Sequence, residues 1–278
     1  MLTISKPLSA AQARAYHAQE FGNARENYYT TADQIRGHWH GQLARQWGLR
    51  GEVLDDQFAR LAEGQHPLTG ESLVRHRAPA QYTNERGQSV TTMAHRAGWD
   101  ATFSAPKSVS VTALVGADVR VREAHEASVG LALDELEHYV QARLGNHPSE
   151  TTGRWVAARF EHDSARPVDG YAAPQLHTHV VVFNVTQTER GETRPLQPRE
   201  LYRTQQYATA IYRAELAIRL QDLGYPIERG DHGQPEIQGY SAAYLEASSP
   251  RRQQIEAYLE RQDRHGAGPA QIAAHQTR

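Results

Sequence analysis

The sequence predicts an α+β fold with a central, mainly antiparallel β-sheet flanked by helices. Two strand-like runs, residues 155–160 and 176–183, are rich in valine and aromatic residues and are separated by a loop that contains proline and glycine. The helical patterns occur in clusters and do not alternate one by one with strands. Because strict strand–helix–strand alternation is missing, antiparallel pairing is favoured over a parallel sheet.

In chain order, Leu2–Ile4 is predicted as a short strand, and Ser9 can cap a helix that runs to Tyr16. A second helix is predicted to contain the motif His38-Trp39-His40 and to end near residues 47–49. Residues 64–70 have the composition of a turn. The strand predicted at 101–104 breaks at a proline and leads into a helix that starts near residue 107.

The second half of the chain continues with a clearer helix, in which Val129, Leu133, Leu136 and Val140 share one face and a glycine at 145 is the expected stop. After the two valine-rich strands, residues 193–196 are predicted as a short edge strand. A long helix is expected from about 198 to 223, and a polar helix from 249. We expect a domain over residues 1–240 and a helical, partly disordered extension over 241–278.

The amino-acid composition excludes several classes of functional site. The chain has 278 residues, 39% of them apolar and 22% charged, with a net charge of −2. With no cysteine, thiolate metal sites, disulfides and cysteine nucleophiles are excluded. No apolar run approaches membrane-spanning length and no signal peptide is evident, so we expect a cytoplasmic protein without membrane insertion. A role on nucleic acid would require a local basic groove.

Three histidines predict a metal site. Side chains alternate along a strand, so His177 and His179 share a face, and His162 follows the other strand-like run. If the two runs pair antiparallel, His162 lies beside the other two. Three imidazoles on one sheet face can hold a divalent ion and leave coordination positions open. The motif at 38–40 also has two histidines, but its predicted helix would place them on different faces, so it is assigned no metal.

Tyrosines and one carboxylate could serve such a metal. Tyr28 and Tyr29 lie in a polar, turn-prone context, and Tyr16 ends the first predicted helix. A tyrosine that attacks a phosphodiester needs a metal to polarise the phosphate and a group to accept or orient its proton. Asp100, at the start of a strand, is placed to orient a histidine. Residues 104–108 form a strand-to-helix corner of a type that can bind phosphate.

These motifs together resemble a known family. The sequences Phe-Ser-Ala-Pro-Lys-Ser at 103–108, Phe-Glu-His-Asp at 160–163 and Leu-His-Thr-His at 176–179 are similar to those of TraI/TrwC-type conjugative relaxases, three-histidine members of the HUH endonuclease superfamily. The resemblance covers residues 1 to about 225. It implies a site- and strand-specific DNA nickase that initiates plasmid transfer, with the relaxase sheet fold.

By position, the resemblance assigns metal binding to His162, His177 and His179, and the orienting carboxylate to Asp100. A tyrosine near the N-terminus would attack the scissile phosphate and become joined to the DNA 5′ end. The family has two tyrosine pairs. Here the first position holds the single Tyr16 and the intact pair is Tyr28-Tyr29, so the nucleophile stays open.

The expected cofactor is a divalent ion, Mg²⁺ or Mn²⁺ in use, although Zn²⁺, Co²⁺ or Ni²⁺ can occupy imidazole sites. The expected partners are single-stranded or melted DNA at an origin of transfer and a helicase domain or relaxosome proteins. The candidate DNA-binding side chains are Lys107, Arg75, Arg77 and Arg154. The competing functions are a rolling-circle replication initiator, a histidine-ligated metal oxidoreductase and a non-catalytic DNA-binding module.

Overall fold

The computed structural model describes residues 1–16, 18, 37–75, 81–83, 87–91 and 95–262. Its strands are β1 (Leu2–Ile4), β2 (Gly37–His40), β3 (Gln81–Thr83), β4 (Ser89–Thr91), β5 (Gly98–Ser104), β6 (Gln141–Ala142), β7 (Glu150–Thr151), β8 (Ala157–Ser164), β9 (Pro174–Phe183), β10 (Thr186–Gln187), β11 (Thr193–Arg194), β12 (Ile227–Arg229) and β13 (Pro235–Ile237). Its helices are α1 (Ala10–Tyr16), α2 (Gln42–Gln46), α3 (Asp55–Ala62), α4 (Lys107–Leu114), α5 (Val119–Glu137), α6 (Pro198–Arg203), α7 (Gln205–Asp222), α8 (Ala242–Ala247) and α9 (Pro250–Arg261).

Five strands form the central sheet, in the order β1-β5-β9-β8-β2, and every neighbouring pair is antiparallel. The predicted fold class is therefore confirmed. The other strands pair in short two-stranded ribbons, including β10 with β11, which contains the strand predicted near residue 193. The two longest strands, β8 and β9, lie side by side within the sheet.

Each face of the sheet carries its own core, because side chains alternate along every strand. On one face, Val180 and Val182 of β9 pack with residues of α5 and α7 such as Leu133 and Leu216. On the other face, Phe160 and Phe183 pack with α1 and α3, to which Phe58 belongs. The helices on this second face therefore cover part of the same surface that the predicted metal ligands occupy.

The prediction that His38, Trp39 and His40 lie in a helix is wrong. They form β2, the edge strand that pairs with β8, and the following helix begins only at Gln42. Trp39 is buried in one core, and the two histidines lie on the opposite face of the strand. Alternation of polar and apolar residues is a strand pattern, but four residues were too few to reveal it against the helix that follows.

One predicted helix cap is confirmed, and two predicted helices have different bounds in the structure. The Ser9 cap is confirmed: its hydroxyl accepts a hydrogen bond from the backbone N–H of Gln12 at 3.1 Å, and the Gln12 side chain accepts one from the Ser9 N–H at 2.9 Å. The long helix expected from 198 to 223 is divided at Thr204, where α6 ends and α7 begins. The helix α5 ends at Glu137, so Val140 and the glycine at 145 lie beyond it.

The last described segment is helical, with α8 and α9 following residue 240. The proposed division into residues 1–240 and 241–278 stays a prediction. Among the described residues, no helix combines the length and the hydropathy that crossing a bilayer requires.

Candidate metal centre

The structure brings the three predicted histidines together. His162 on β8 lies directly opposite His177 on β9, and Phe160 lies opposite His179. The ring centroids of His162 and His177 are 5.1 Å apart, and each is 5.0 Å from the ring of His179. The three imidazoles therefore form a nearly equilateral triangle on one sheet face.

Hydrogen bonds at Nδ1 orient two of these rings. Nδ1 of His177 lies 2.9 Å from the carbonyl oxygen of Gln175, which can only accept. Nδ1 of His179 lies 2.9 Å from Oδ2 of Asp100 and 3.1 Å from the hydroxyl of Thr102. An N–H at Nδ1 leaves the lone pair at Nε2, the arrangement that metal-binding histidines commonly adopt.

His162 and His177 are held in the neutral form, which is the form that binds a metal. Burial, followed by the neighbouring His179, lowers the pKa of His177 from its ordinary value to about 3. Burial, followed by His177 and His179, also lowers the pKa of His162. At neutral pH neither of these rings carries a proton that would have to be displaced.

Asp100 is fixed from its backbone as well as its side chain. Its N–H donates to the Ser5 hydroxyl at 2.9 Å, and its carbonyl accepts from the Ser5 N–H at 2.8 Å, beside the β1–β5 pair. The Thr102 hydroxyl donates to Oδ2 at 3.1 Å. Sequence reasoning missed Thr102 and Gln175. Thr102 could have been found from the alternation of side chains along a strand, which places it on the same face as Asp100.

The donor set fits a divalent transition ion. Three neutral imidazoles suit Mn²⁺, Zn²⁺, Co²⁺, Ni²⁺ or Cu²⁺ better than Mg²⁺, which prefers oxygen ligands. Ligands that come from one sheet face leave the opposite side of the ion open to another molecule. The assignment of these three histidines as ligands stays a prediction.

Of the three candidate tyrosines, Tyr16 belongs to a described helix, whereas the other two do not lie in the described part of the chain. Tyr16 is the last residue of α1, whose Ala13 belongs to the core on the histidine-bearing face of the sheet, and α1 packs against α3 there, with Arg14 paired to Glu63. The C-terminal end of α1 therefore lies on the side of the sheet that carries the three histidines. Tyr28 and Tyr29 lie outside the described residues.

The strand-to-helix corner at 104–108 is already occupied by a protein carboxylate. Glu236 of β13 accepts hydrogen bonds from both the N–H and the hydroxyl of Ser108, at the start of α4. Lys107 donates to the carbonyl oxygen of Pro174 at 2.8 Å. Burial lowers the pKa of Lys107 to about 8, although Glu236 acts in the opposite direction. The corner thus ties α4 to β9 and β13.

The predicted arginines do not cluster at the histidines. Arg75 is exposed and lines a groove of about 1540 Å³ together with Arg143 and Arg194, of which Arg194 is paired with Glu192 at 2.7 Å. Arg154 is partly exposed, and its carbonyl oxygen accepts a hydrogen bond from Thr186 at 2.6 Å. Arg77 lies outside the described residues.

Comparison with curated proteins gives two relatives, both called multifunctional conjugation protein TraI. The protein from Escherichia coli is 38% identical over an alignment of 268 residues that covers 92% of this chain. The one from Escherichia coli strain K12 is 37% identical over the same length. The chain spans only 14% of the length of each of these relatives.

Solved structures agree over the whole chain. The conjugative relaxase TrwC in complex with oriT DNA, in its metal-bound form, superposes with a TM-score of 0.77 at 31% identity, covering 99% of this chain and 89% of that one. The copper-bound TrwC complex gives a TM-score of 0.80 at 31% identity, covering 100% of this chain and 91% of that one. The profile of the TrwC relaxase family matches residues 10–278. The chain belongs to the TrwC relaxase family.

Proposed function

We propose that the chain is a metal-dependent DNA transesterase that nicks one strand at a plasmid origin of transfer and starts conjugative transfer. The observation that carries this proposal is the triangle of imidazoles, in which hydrogen bonds at Nδ1 of His177 and of His179 leave Nε2 of both rings available to a metal. The support from outside the chain is that TrwC, which shares its fold, was solved with both oriT DNA and a metal.

When bound, a divalent ion would supply charge stabilisation at the scissile phosphate. His162, His177 and His179 would hold it. Asp100 would keep the His179 ring in place through the 2.9 Å hydrogen bond. The rigid strand pair fixes the positions of the three rings, so little reorganisation is needed when the phosphate arrives.

The nucleophile would be a tyrosine oxygen. In the exchange, the bond from this oxygen to phosphorus forms while the bond to the 3′ oxygen breaks. The phenol gives up its proton, and the freed 3′ oxygen gains one. The DNA phosphodiester is exchanged for a phosphodiester to tyrosine, so the free energy of the bond is largely conserved. The 3′ hydroxyl can therefore reverse the step without ATP. Tyr16 and Tyr28 are the candidates, with Tyr29 beside the second.

The DNA would lie against the basic groove and the histidine-bearing face. Arg75, Arg143 and Arg194 line the groove, and such side chains neutralise phosphates without reading sequence. A net charge of −2 makes this local basic surface necessary. The substrate would be single-stranded or melted DNA, since in-line attack requires access to one strand.

The remaining expectations follow from the family. The ion in use would be Mg²⁺ or Mn²⁺, and the imidazole donors would also accept Zn²⁺, Co²⁺ or Ni²⁺. The partners would be a helicase domain or relaxosome proteins, and the compartment the cytoplasm.

The test uses a 3′-labelled single-stranded oligonucleotide that spans the cognate origin, with Mn²⁺ or Mg²⁺, and denaturing gel electrophoresis. A labelled, SDS-resistant adduct that disappears with EDTA and with His177→Ala is expected. Tyr16→Phe, Tyr28→Phe and Tyr29→Phe identify the nucleophile. The matched control is Tyr139→Phe, an exposed tyrosine beyond the end of α5.

No adduct on any cognate strand would contradict the transesterase. A wild-type adduct that persists in all single tyrosine variants and in their combination would contradict the nucleophile assignment. A co-purified redox metal together with an inactive nicking assay would favour the oxidoreductase.

A further inference from the structure

A second group of potential metal ligands lies on the other face of the central sheet. His40 pairs with Ala157 of β8, which in turn lies opposite Val182 of β9, on the face covered by α5. There His40 meets two carboxylates of α5, those of Asp134 and Glu137. One ligand atom from each of the three side chains lies within 4.8 Å of the other two.

The His40 ring is buried without a well-formed hydrogen bond at Nε2. Its side chain is 9% exposed, and Nε2 lies 3.2 Å from Oδ1 of Asp134. That contact does not have hydrogen-bond geometry, and no other described residue bonds to this nitrogen. A buried imidazole nitrogen and a carboxylate oxygen at this separation can act as neighbouring ligands of one cation, whose bonds to nitrogen and oxygen are each about 2.0 to 2.2 Å.

The two carboxylates have complementary roles. Glu137 is 1% exposed, and its Oε1 accepts hydrogen bonds from the N–H groups of Gln42 at 2.7 Å and Trp155 at 2.9 Å, which fix its orientation. Asp134 is 54% exposed and opens the group to solvent. The contact with His40 lowers the pKa of Asp134, so this ligand is ionised at neutral pH.

We propose that His40, Asp134 and Glu137 form a structural site for a divalent transition ion such as Zn²⁺ or Mn²⁺, separate from the three-histidine site. One imidazole and two carboxylates are a mixed donor set that suits both ions. Burial raises the pKa of Glu137, and a bound cation would favour the ionised form of this carboxyl group. The two carboxylate charges would then match the charge of the ion. Arg45 and Arg159, which lie near Asp134, oppose a cation and limit the affinity.

The ion would fasten the edge of the sheet. β2 is the outermost strand and pairs only with β8 within the central sheet. Bonds from the ion to His40, Asp134 and Glu137 would join β2 to α5. The hydrogen bond from the Gln42 N–H to Glu137 would connect the start of α2 to the same site. The site faces away from the three histidines, so it should affect stability and leave nicking unchanged.

The experiment measures Zn²⁺ bound per chain by equilibrium dialysis and metal analysis. We expect about two ions for wild type, about one for Asp134→Ala and about one for the triple variant His162→Ala, His177→Ala, His179→Ala. The Asp134→Ala measurement in the otherwise unchanged chain does not depend on the triple variant folding. Glu123→Ala, an exposed acid on the same helix, is the matched control and should keep both ions.

Thermal melting supplies a second readout. Zn²⁺ should raise the melting temperature of the triple variant and of its Glu123→Ala derivative, but not of its Asp134→Ala derivative. One ion per wild-type chain, or two ions still bound by Asp134→Ala, would overturn the proposal. A loss of nicking in Asp134→Ala would contradict the purely structural role.

Discussion

Nδ1 of His179 lies 2.9 Å from Oδ2 of Asp100, and the bond runs diagonally between two adjacent strands. Thr102, and not Asp100, is the direct cross-strand partner of His179. The Thr102 hydroxyl lies 3.1 Å from both Oδ2 and Nδ1. The carboxylate, the hydroxyl and the ring thus form a closed triangle that restrains the ring from two directions.

Asp100→Asn should weaken metal binding about 10- to 100-fold, because the amide is a poorer acceptor for the His179 N–H and can place its NH₂ group there instead. Isothermal titration with Mn²⁺ measures the affinity, and nicking at saturating Mn²⁺ should recover in part. Asp222→Asn, at the exposed end of α7, is the control. An unchanged affinity in Asp100→Asn would show that this hydrogen bond does not orient a ligand.

The histidine triangle was predictable because it depends on strand alternation and one antiparallel pairing. Residues 176–183 are rich enough in valine and phenylalanine to mark a strand without any tertiary information. His177 and His179 then share a face by geometry alone. From the sequence alone, the pairing of the two runs was only a condition, and the structure supplies the register that sets His162 opposite His177.

β2 was missed because tertiary pairing decided it. Four residues next to a helix carry too little periodicity, and only the contact with β8 makes Gly37–His40 a strand. The same error hid the cluster with Asp134 and Glu137, since a helical His40 would not face α5. The occupant of the α4 N-terminus was also hidden, because Glu236 is distant in sequence and belongs to a short ribbon.

The metal-free protein should lose stability as the pH falls. His125 is buried, with its ring nitrogens 2.8 Å from the Tyr212 hydroxyl and 3.0 Å from that of Thr178. Burial lowers its pKa from 6.5 to about 3, helped by the N-terminal ammonium, His177 and Arg122. Between these two pH values, His125 is therefore protonated in the unfolded chain and neutral in the folded chain. The loss is about 1.4 kcal/mol per pH unit for this group, from about pH 6.5 down to about pH 3.

Urea unfolding in EDTA at several pH values measures this slope. His125→Gln should reduce the slope, whatever its effect on absolute stability. His138→Gln, at an exposed position just after α5, is the matched substitution with which His125→Gln is compared. Equal slopes in wild type and His125→Gln would show that another group controls the acid sensitivity.

Gly98→Ala should destabilise the sheet by about 3 kcal/mol, near the upper end of overpacking costs. A Cβ at Gly98 would collide with the carbonyl oxygen of Val182, a backbone atom of the adjacent strand that cannot rotate away. Gly130→Ala is the control: its Cβ would lie 3.4 Å from a flexible arginine atom, inside α5. Alanine favours a helix interior over glycine, so Gly130→Ala should be neutral or stabilising by up to about 1 kcal/mol. Chemical denaturation measures the free energy of unfolding of both variants and tests both predictions.

Arg75 and Lys107 should differ in their contribution to DNA binding. Arg75 is exposed in the basic groove. Arg75→Gln should therefore lower the slope of log K against log salt by about 1, because one DNA phosphate is no longer neutralised by the protein. Lys107 already donates to the Pro174 carbonyl at 2.8 Å, so its ammonium group is engaged within the protein. Lys107→Gln should therefore change the salt slope much less.

Fluorescence anisotropy of a labelled origin oligonucleotide over a range of salt concentrations, at pH 7 and without added metal, measures both slopes. Arg252→Gln supplies a third comparison, since Arg252 is already paired with Glu256 at 2.6 Å on α9. If Lys107→Gln reduces the slope as much as Arg75→Gln, the lysine leaves Pro174 and reaches a phosphate when DNA binds. In that case the strand-to-helix corner, and not only the groove, contacts the DNA backbone.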